Sequence, residues 1–483
     1  MDSQTIIAFL PQLILAAGTV GALLLVAWRR SQRMIAYFTL VTLLLTLVST
    51  FNGIGQLTTA VTQLFYVDDY GRFALLLILL VSICSLFLSM QRLSTDVEVH
   101  DEYYLLMLLT VLGGSILVIS DHFASLFLGF ELLSISLVGL VGYFRQQQYS
   151  VESSFKYLIL SASASSFMLL GIAFIYAQTG TLSFSPSADI TGVSSLSLAN
   201  NYLLPLGFIL FFSGMAFKLS LVPFHYWTPD VYQGASTPVT LLVATVSKCA
   251  IFVVLLKCCF AYYQHYMGLH EQVFNVIAAV AILSMILGNS LALKQQSIKR
   301  ILAYSSIAHM GYLLIIVLLN QVHAIEMAWQ STLFYLTTYL IACVSIFTVI
   351  CLSEGEQHQD VNLADWQGLF WHRPLLASLV IVAVLSFAGI PLTAGFIGKF
   401  YLINLAANQA MWPLLAALII GSGVALAYYL PMVFTLFTEQ GQSDKKYDHL
   451  LSFGHRSMVS LFIVLGLLLG IFPDVLGHWL LEF

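Results

Sequence analysis

The sequence predicts an all-α polytopic membrane protein with 14 transmembrane helices, forming one membrane domain over residues 1–483. Three observations predict it. Hydrophobic residues make up 59% of the chain and charged residues 8%, whereas soluble domains carry an apolar share of about 45–50%. The apolar residues gather in windows of about 20, the length that crosses a bilayer. The basic residues fall between alternate windows, as they do when loops alternate sides and Lys and Arg are retained on the cytoplasmic one.

In chain order the windows lie near 5–28, 34–53 and 71–91 within residues 1–100, then 103–119, 122–144, 154–178, 203–222 and 237–261 within 101–265. They continue near 272–293, 299–319, 325–352, 374–402 and 410–437 within 266–440, and end near 457–480 within 441–483. The first has no basic residue before it and exceeds a signal-peptide core in length, so it is expected to be a span. Of the 18 Lys and Arg, 12 fall at odd-numbered loops: Arg29, Arg30, Arg33, Arg92, Arg145, Lys294, Lys299, Arg300, Arg373, Lys445, Lys446 and Arg456. Only Arg72 and Lys257 fall on the other side. Both termini are therefore expected outside the cytoplasm, on the same face as the Ser-, Thr- and Asn-rich loop 179–202. Trp28, Trp371, Trp412 and Trp479, near span ends, read as interfacial anchors.

Four basic residues remain, and they lie inside or at the edge of spans: Lys156, Lys218, Lys248 and Lys399. A charge near the bilayer centre costs roughly 2.5–3.5 kcal/mol on insertion scales, so such residues usually face a bundle interior or wet cavity and mark an ion or proton path. Glu131 is the one carboxylate in the same position. Lysine suits proton transfer because its protonation responds to burial and neighbouring charge, whereas arginine stays charged. Lys218 and Glu131 fit either a structural ion pair or a proton switch in which displacing the carboxylate releases the lysine's proton. Lys248 and Lys399 extend the series along the membrane plane, with His225 and His309 as candidate bridges. Lys156, early in its span, can instead snorkel to the cytoplasmic interface.

Two spans are interrupted. The seventh runs through Gly214 and Lys218 to Pro223, and the twelfth carries Gly389, Pro391, Gly395 and Gly398 before Lys399. Proline deletes a backbone donor, so a break at membrane depth is tolerated only where it is buried in protein or lines a cavity. These spans are five apart, and spans 4–13 divide into two blocks of five. An odd number inverts the copy, giving two inverted five-helix repeats, each containing a broken helix, a plan with ion sites near the midplane.

Other chemistry is expected to lie elsewhere. The six cysteines lack metal, cluster or disulfide spacing, no Gly-rich phosphate loop follows a strand, and a net charge of −5 argues for no nucleic-acid partner. No metal or cofactor is expected in this chain.

The stretches FKLSLVPFHYWTPDVYQGASTPVT (217–240), SIKRILAYSSIAHMGYLL (297–314) and GLFWHRPLLASLVIVAVLSFAGIPLTAGFIGKFYL (368–402) resemble the antiporter-like membrane subunits of bacterial proton-pumping NADH:quinone oxidoreductase, respiratory complex I. The N-type branch is most similar, since M-type relatives carry a glutamate where Lys399 stands. The resemblance implies a proton-translocating subunit in the inner membrane, both termini periplasmic, packed against other membrane-arm subunits including other antiporter-like ones. Flavin, iron–sulfur clusters, NADH oxidation and quinone reduction would belong to partner subunits. It implies Glu131 and Lys218 as a coupled pair, Lys248 with His225 as a connecting relay, Lys399 as the exit-side lysine, and a role for Lys156. Competing expectations are a subunit of a multisubunit cation/proton antiporter and a structural spacer.

Overall fold

Backbone in hydrocarbon has no water to bond, so apolar runs of this length fold as helices that satisfy their own amides. The computed structural model describes residues 3–28, 31–55, 58–93, 101–145, 147, 149–184, 202–265, 270–319, 325–354, 360–438 and 453–481. Arg29, Arg30, Lys445, Lys446 and most of the 179–202 loop lie outside them.

The order begins with α1 (Ser3–Trp28) and α2 (Gln32–Gly53), a hairpin of β1 (Thr59–Thr62) and β2 (Phe65–Val67), then α3 (Asp69–Leu93). Next come α4 (Asp101–Val118), α5 (Phe123–Val141), α6 (Ser150–Thr179), α7 (Leu203–Lys218), α8 (Trp227–Gly234), α9 (Thr237–Ala244) and α10 (Val246–His265). The chain continues with α11 (His270–Ala292), α12 (Ile298–Val317), α13 (Ile325–Ser353), α14 (Pro374–Ala388), α15 (Ala394–Asn408), α16 (Trp412–Phe437), α17 (Phe453–Ile471) and α18 (Asp474–Leu481). Among the described residues, 11 helices are long and apolar enough to cross a membrane; α7, α14 and most of α17 are shorter apolar helices. Two of these three are first halves of interrupted spans, which is why they fall short.

The hairpin departs from the all-α expectation. Its antiparallel strands are fixed to the α4–α5 turn: the Tyr66 amide donates to the Ile119 carbonyl at 2.9 Å, and the Asp121 amide and Ser125 hydroxyl donate to the Leu64 carbonyl at 3.1 and 2.8 Å. A short β-branched and aromatic run with these partners satisfies its backbone without being helical.

Packing recurs between the two blocks. α4 packs on α5 and α10, and α6 on α7; five spans later α11 packs on α12 and α16, and α13 on α14. Burial then separates centre from rim, because Thr237–Tyr262, holding α9 and most of α10, is buried at every residue but Lys257 and α12 is nearly so, whereas α1, α6 and α16 keep open faces. Lys248 and His309 thus ride on central helices.

Both expected breaks are present. α7 ends at Lys218, and helix resumes at Trp227; Ser220 between them has φ of 63°. α14 ends on Gly389 at φ 77°, where the Gly389 and Ile390 amides cap the Leu385 carbonyl, a left-handed termination open to glycine. α15 resumes at Ala394 and reaches Asn408, beyond the expected end at 402. A third interruption was not expected: the eighth span breaks at Thr245, φ −121° and ψ −70°, three residues before Lys248.

Candidate functional site

Lys218 is the last residue of α7, at the negative end of its dipole. Its ammonium is fully buried and donates to the Tyr157 hydroxyl at 2.8 Å and the Ser161 hydroxyl at 3.1 Å, with the rings of Tyr157, Phe130 and Phe217 at 4.5–5.7 Å. Glu131, on α5, does not touch it. The carboxylate instead accepts a short hydrogen bond from the Ser165 hydroxyl. Ser161 and Ser165 are one turn apart on α6, joined by the Ser165 hydroxyl and Ser161 carbonyl at 3.0 Å, so α6 interposes two hydroxyls between the expected partners.

Lys248 lies in the first turn of α10, buried, and its ammonium donates to the Ser306 hydroxyl of α12 at 2.6 Å. Ser306 also meets the Tyr232 hydroxyl at 3.3 Å, and the Tyr232 ring lies 5.7 Å from the ammonium. Tyr232 sits on α8, the continuation of the broken span that carries Lys218. One interrupted span therefore contacts both lysine sites.

Lys399 lies in the second turn of α15. Its ammonium donates to the Ala388 carbonyl at 2.9 Å, one of the carbonyls orphaned where α14 ends, and faces the Tyr312 ring at 5.3 Å. His309, one turn beyond Ser306 on α12, shares a 2.7 Å hydrogen bond with the Tyr335 hydroxyl through Nδ1. Between His309 and Lys399 lies a cavity of about 10 Å³, roughly one water site, lined also by Tyr335, Tyr339 and Ser386. α12 thus presents Ser306 toward Lys248 and His309 toward Lys399. A buried ammonium among neutral oxygens and rings has no fixed counter-ion, so its protonation follows whatever charge comes near.

Two expected site residues stand apart. Lys156 lies in the second turn of α6, its side chain 45% exposed, paired with Glu152 at 2.7 Å and with Asp230 of α8 at 2.9 Å; Arg300 completes the cluster on Asp230 at 3.0 Å. Its exposure near the end of the span suits a long side chain that can snorkel. His225 lies in the first break, its ring stacked on Tyr226 at 4.5 Å and its Nδ1 buried without a hydrogen-bond partner. The structure does not bring it to Lys248, whose neighbour is Ser306.

Sequence reasoning missed Tyr157, Ser161, Ser165, Ser306, Tyr232 and Tyr335. Two signals were present: Ser161 and Ser165 are spaced i,i+4, and Ser306 and His309 i,i+3, each pair on one helix face. Among the described residues no group of three or more His, Cys, Asp or Glu converges as a metal site.

The profile of the family described as NADH:quinone oxidoreductase/Mrp antiporter, TM, matches residues 120–425, the stretch containing Glu131 and the four lysines. A chain of respiratory complex I from Thermus thermophilus, solved with bound aureothin, is 30% identical, with 97% of this chain and 98% of that chain covered at a TM-score of 0.82. A chain of the membrane-bound sulfane sulfur reductase, an archaeal respiratory membrane complex, is 23% identical over 98% and 96% at a TM-score of 0.83. One from the Mrp complex of Dietzia sp. DQ12-45-1b is 18% identical over 100% and 97% at 0.84. These last two speak to the fold alone. By the profile match and the full-length similarity, the chain belongs to the NADH:quinone oxidoreductase/Mrp antiporter family of membrane proteins.

Proposed function

We propose that this chain is the N-type antiporter-like subunit of a bacterial proton-translocating NADH:quinone oxidoreductase, moving protons across the inner membrane while partner subunits carry flavin, iron–sulfur clusters and the NADH and quinone chemistry. One observation carries it: Lys218, Lys248 and Lys399 are each buried, each bonded among the described residues only to neutral oxygens, and spread over both five-span blocks. Three such sites cost far more than a structural spacer needs.

In this reading Glu131 is the electrostatic switch. Moving its carboxylate toward Lys218, through or past Ser165, favours the charged lysine, and moving it back favours proton release. Lys248, Ser306 and His309 pass the proton to Lys399 in the second block. Lys156 would act from the basic surface and His225 from the first break, with both termini periplasmic and the two blocks working as inverted repeats.

The fold also suits a cation/proton antiporter subunit. The TPDVYQGA segment, Thr228 to Ala235, and the similarity to a complex I chain favour the first reading. Lys218→Ala and Glu131→Ala in the assembled complex test it: proton pumping and quinone reductase activity should both fall at least about tenfold while assembly persists. Sodium-dependent proton exchange by the chain without an NADH-oxidising partner would decide for the antiporter.

A further inference from the structure

Glu354, the first residue past α13, is a carboxylate that the proton path does not use, and its side chain is only 2% exposed. It receives Arg92 of α3 at 2.5 Å and Lys299 of α12 at 2.8 Å, and it accepts a short hydrogen bond from the Thr237 hydroxyl at the start of α9. Lys299 also donates to the Ala235 carbonyl at 3.2 Å. A buried ion pair is weak evidence for stability, because desolvation offsets much of the attraction. What distinguishes this one is which elements it joins. Thr237 opens the span that carries Lys248 about three turns later, and Lys299 sits about two turns before Ser306 on α12. The joint between α9 and α10 is bridged by the Ser247 hydroxyl of α10, which donates to the Val243 carbonyl of α9 at 2.7 Å, so a displacement of α9 is carried into α10.

We propose that Glu354 is a positioning residue for the central lysine: a single carboxylate ties α9 to α12 and so sets the Lys248–Ser306 hydrogen bond, with Arg92 anchoring it to α3. The proposal rests on the reading of Lys248 as part of the proton path. It assigns Glu354 no proton to carry, since two cations hold its carboxylate.

The test uses the assembled complex in proteoliposomes, comparing Glu354→Gln, Ser306→Ala, the double variant and Lys248→Ala, with pumping and quinone reduction expressed per assembled complex. Glu354→Gln and Ser306→Ala should each lower pumping by about threefold to tenfold, and the double variant should fall within about twofold of the worse single, because both act on one contact. Losses that multiply in the double variant would overturn the positioning role, as would a deficit confined to the amount of complex assembled. If Glu354→Gln fails to assemble, Thr237→Val removes only the hydroxyl tether, and the same non-additivity with Ser306→Ala is expected; full pumping by that variant would overturn the proposal. Full pumping by Lys248→Ala would remove the reading beneath it, an outcome distinct from multiplicative losses.

Discussion

Each of the three enclosed lysines has hydroxyl or carbonyl oxygens where a carboxylate would fix its charge. Ser306 is one such oxygen: among the described residues its hydroxyl is the only hydrogen-bond acceptor of the Lys248 ammonium, as the Ala388 carbonyl is for Lys399. His309→Phe keeps the ring volume among Tyr312, Tyr335, Tyr339 and Phe387 and removes the imidazole. Pumping should fall by about a hundredfold or more, the scale of one positioned acid–base group, with assembly unchanged; pumping at the normal rate would make His309 a packing residue. Glu354 supplies a pH signature outside the spans. Burial pushes its carboxyl up, but Lys299, Arg92 and the Thr237 hydroxyl outweigh that and hold it below its usual value of 4.5. A group depressed on folding contributes stability that is present above its unfolded value and lost as pH falls through the folded one. The melting-temperature gap between the native protein and Glu354→Gln should therefore be flat above 4.5 and shrink in acid; a gap that widens in acid contradicts it. The lysines themselves were legible because a charge in an apolar run stands out. Their hydroxyl partners were not, because serines and threonines in these helices commonly bond their own preceding turn, as Thr42, Ser82 and Ser134 do, so their number says little about which one faces a lysine.

The breaks place those side chains, and their sequence signals differ. The two that carry proline and glycine were readable, whereas the turn at Thr245 has neither within TLLVATVSK, Thr240 to Lys248. The α14–α15 break is the most constrained. A Cβ on Gly395 would stand 1.8 Å from the Ser386 carbonyl oxygen, so α15 must move away from α14 to accept any side chain. Gly395→Ala should destabilise the protein by about 1–3 kcal/mol or more, read as a lowered melting temperature. It should also lower pumping more than Gly423→Ala, where open space surrounds the added methyl; equal behaviour of the two variants would show that the break tolerates separation.

Across the whole chain, the one-sided distribution of Lys and Arg was the most legible property, and its two exceptions now have a cause. Arg72 pairs with Asp69 at 2.9 Å and Lys257 with Asp68 at 2.8 Å, so neither is a free positive charge on the hairpin face. With native cysteines replaced, a single cysteine at Gln295 should react with an impermeant maleimide only from the cytoplasmic side, and one at Gln63 only from outside; labelling of both from one side contradicts the orientation. The central claim is that protons pass through lysines that gain and lose charge. Lys218→Arg tests it most directly, since arginine keeps the cation and does not release it. With the assembled complex in proteoliposomes, proton translocation per NADH oxidised should be as low in Lys218→Arg as in Lys218→Ala. Translocation restored by arginine to the native level would show that Lys218 serves as a fixed charge and would contradict the account.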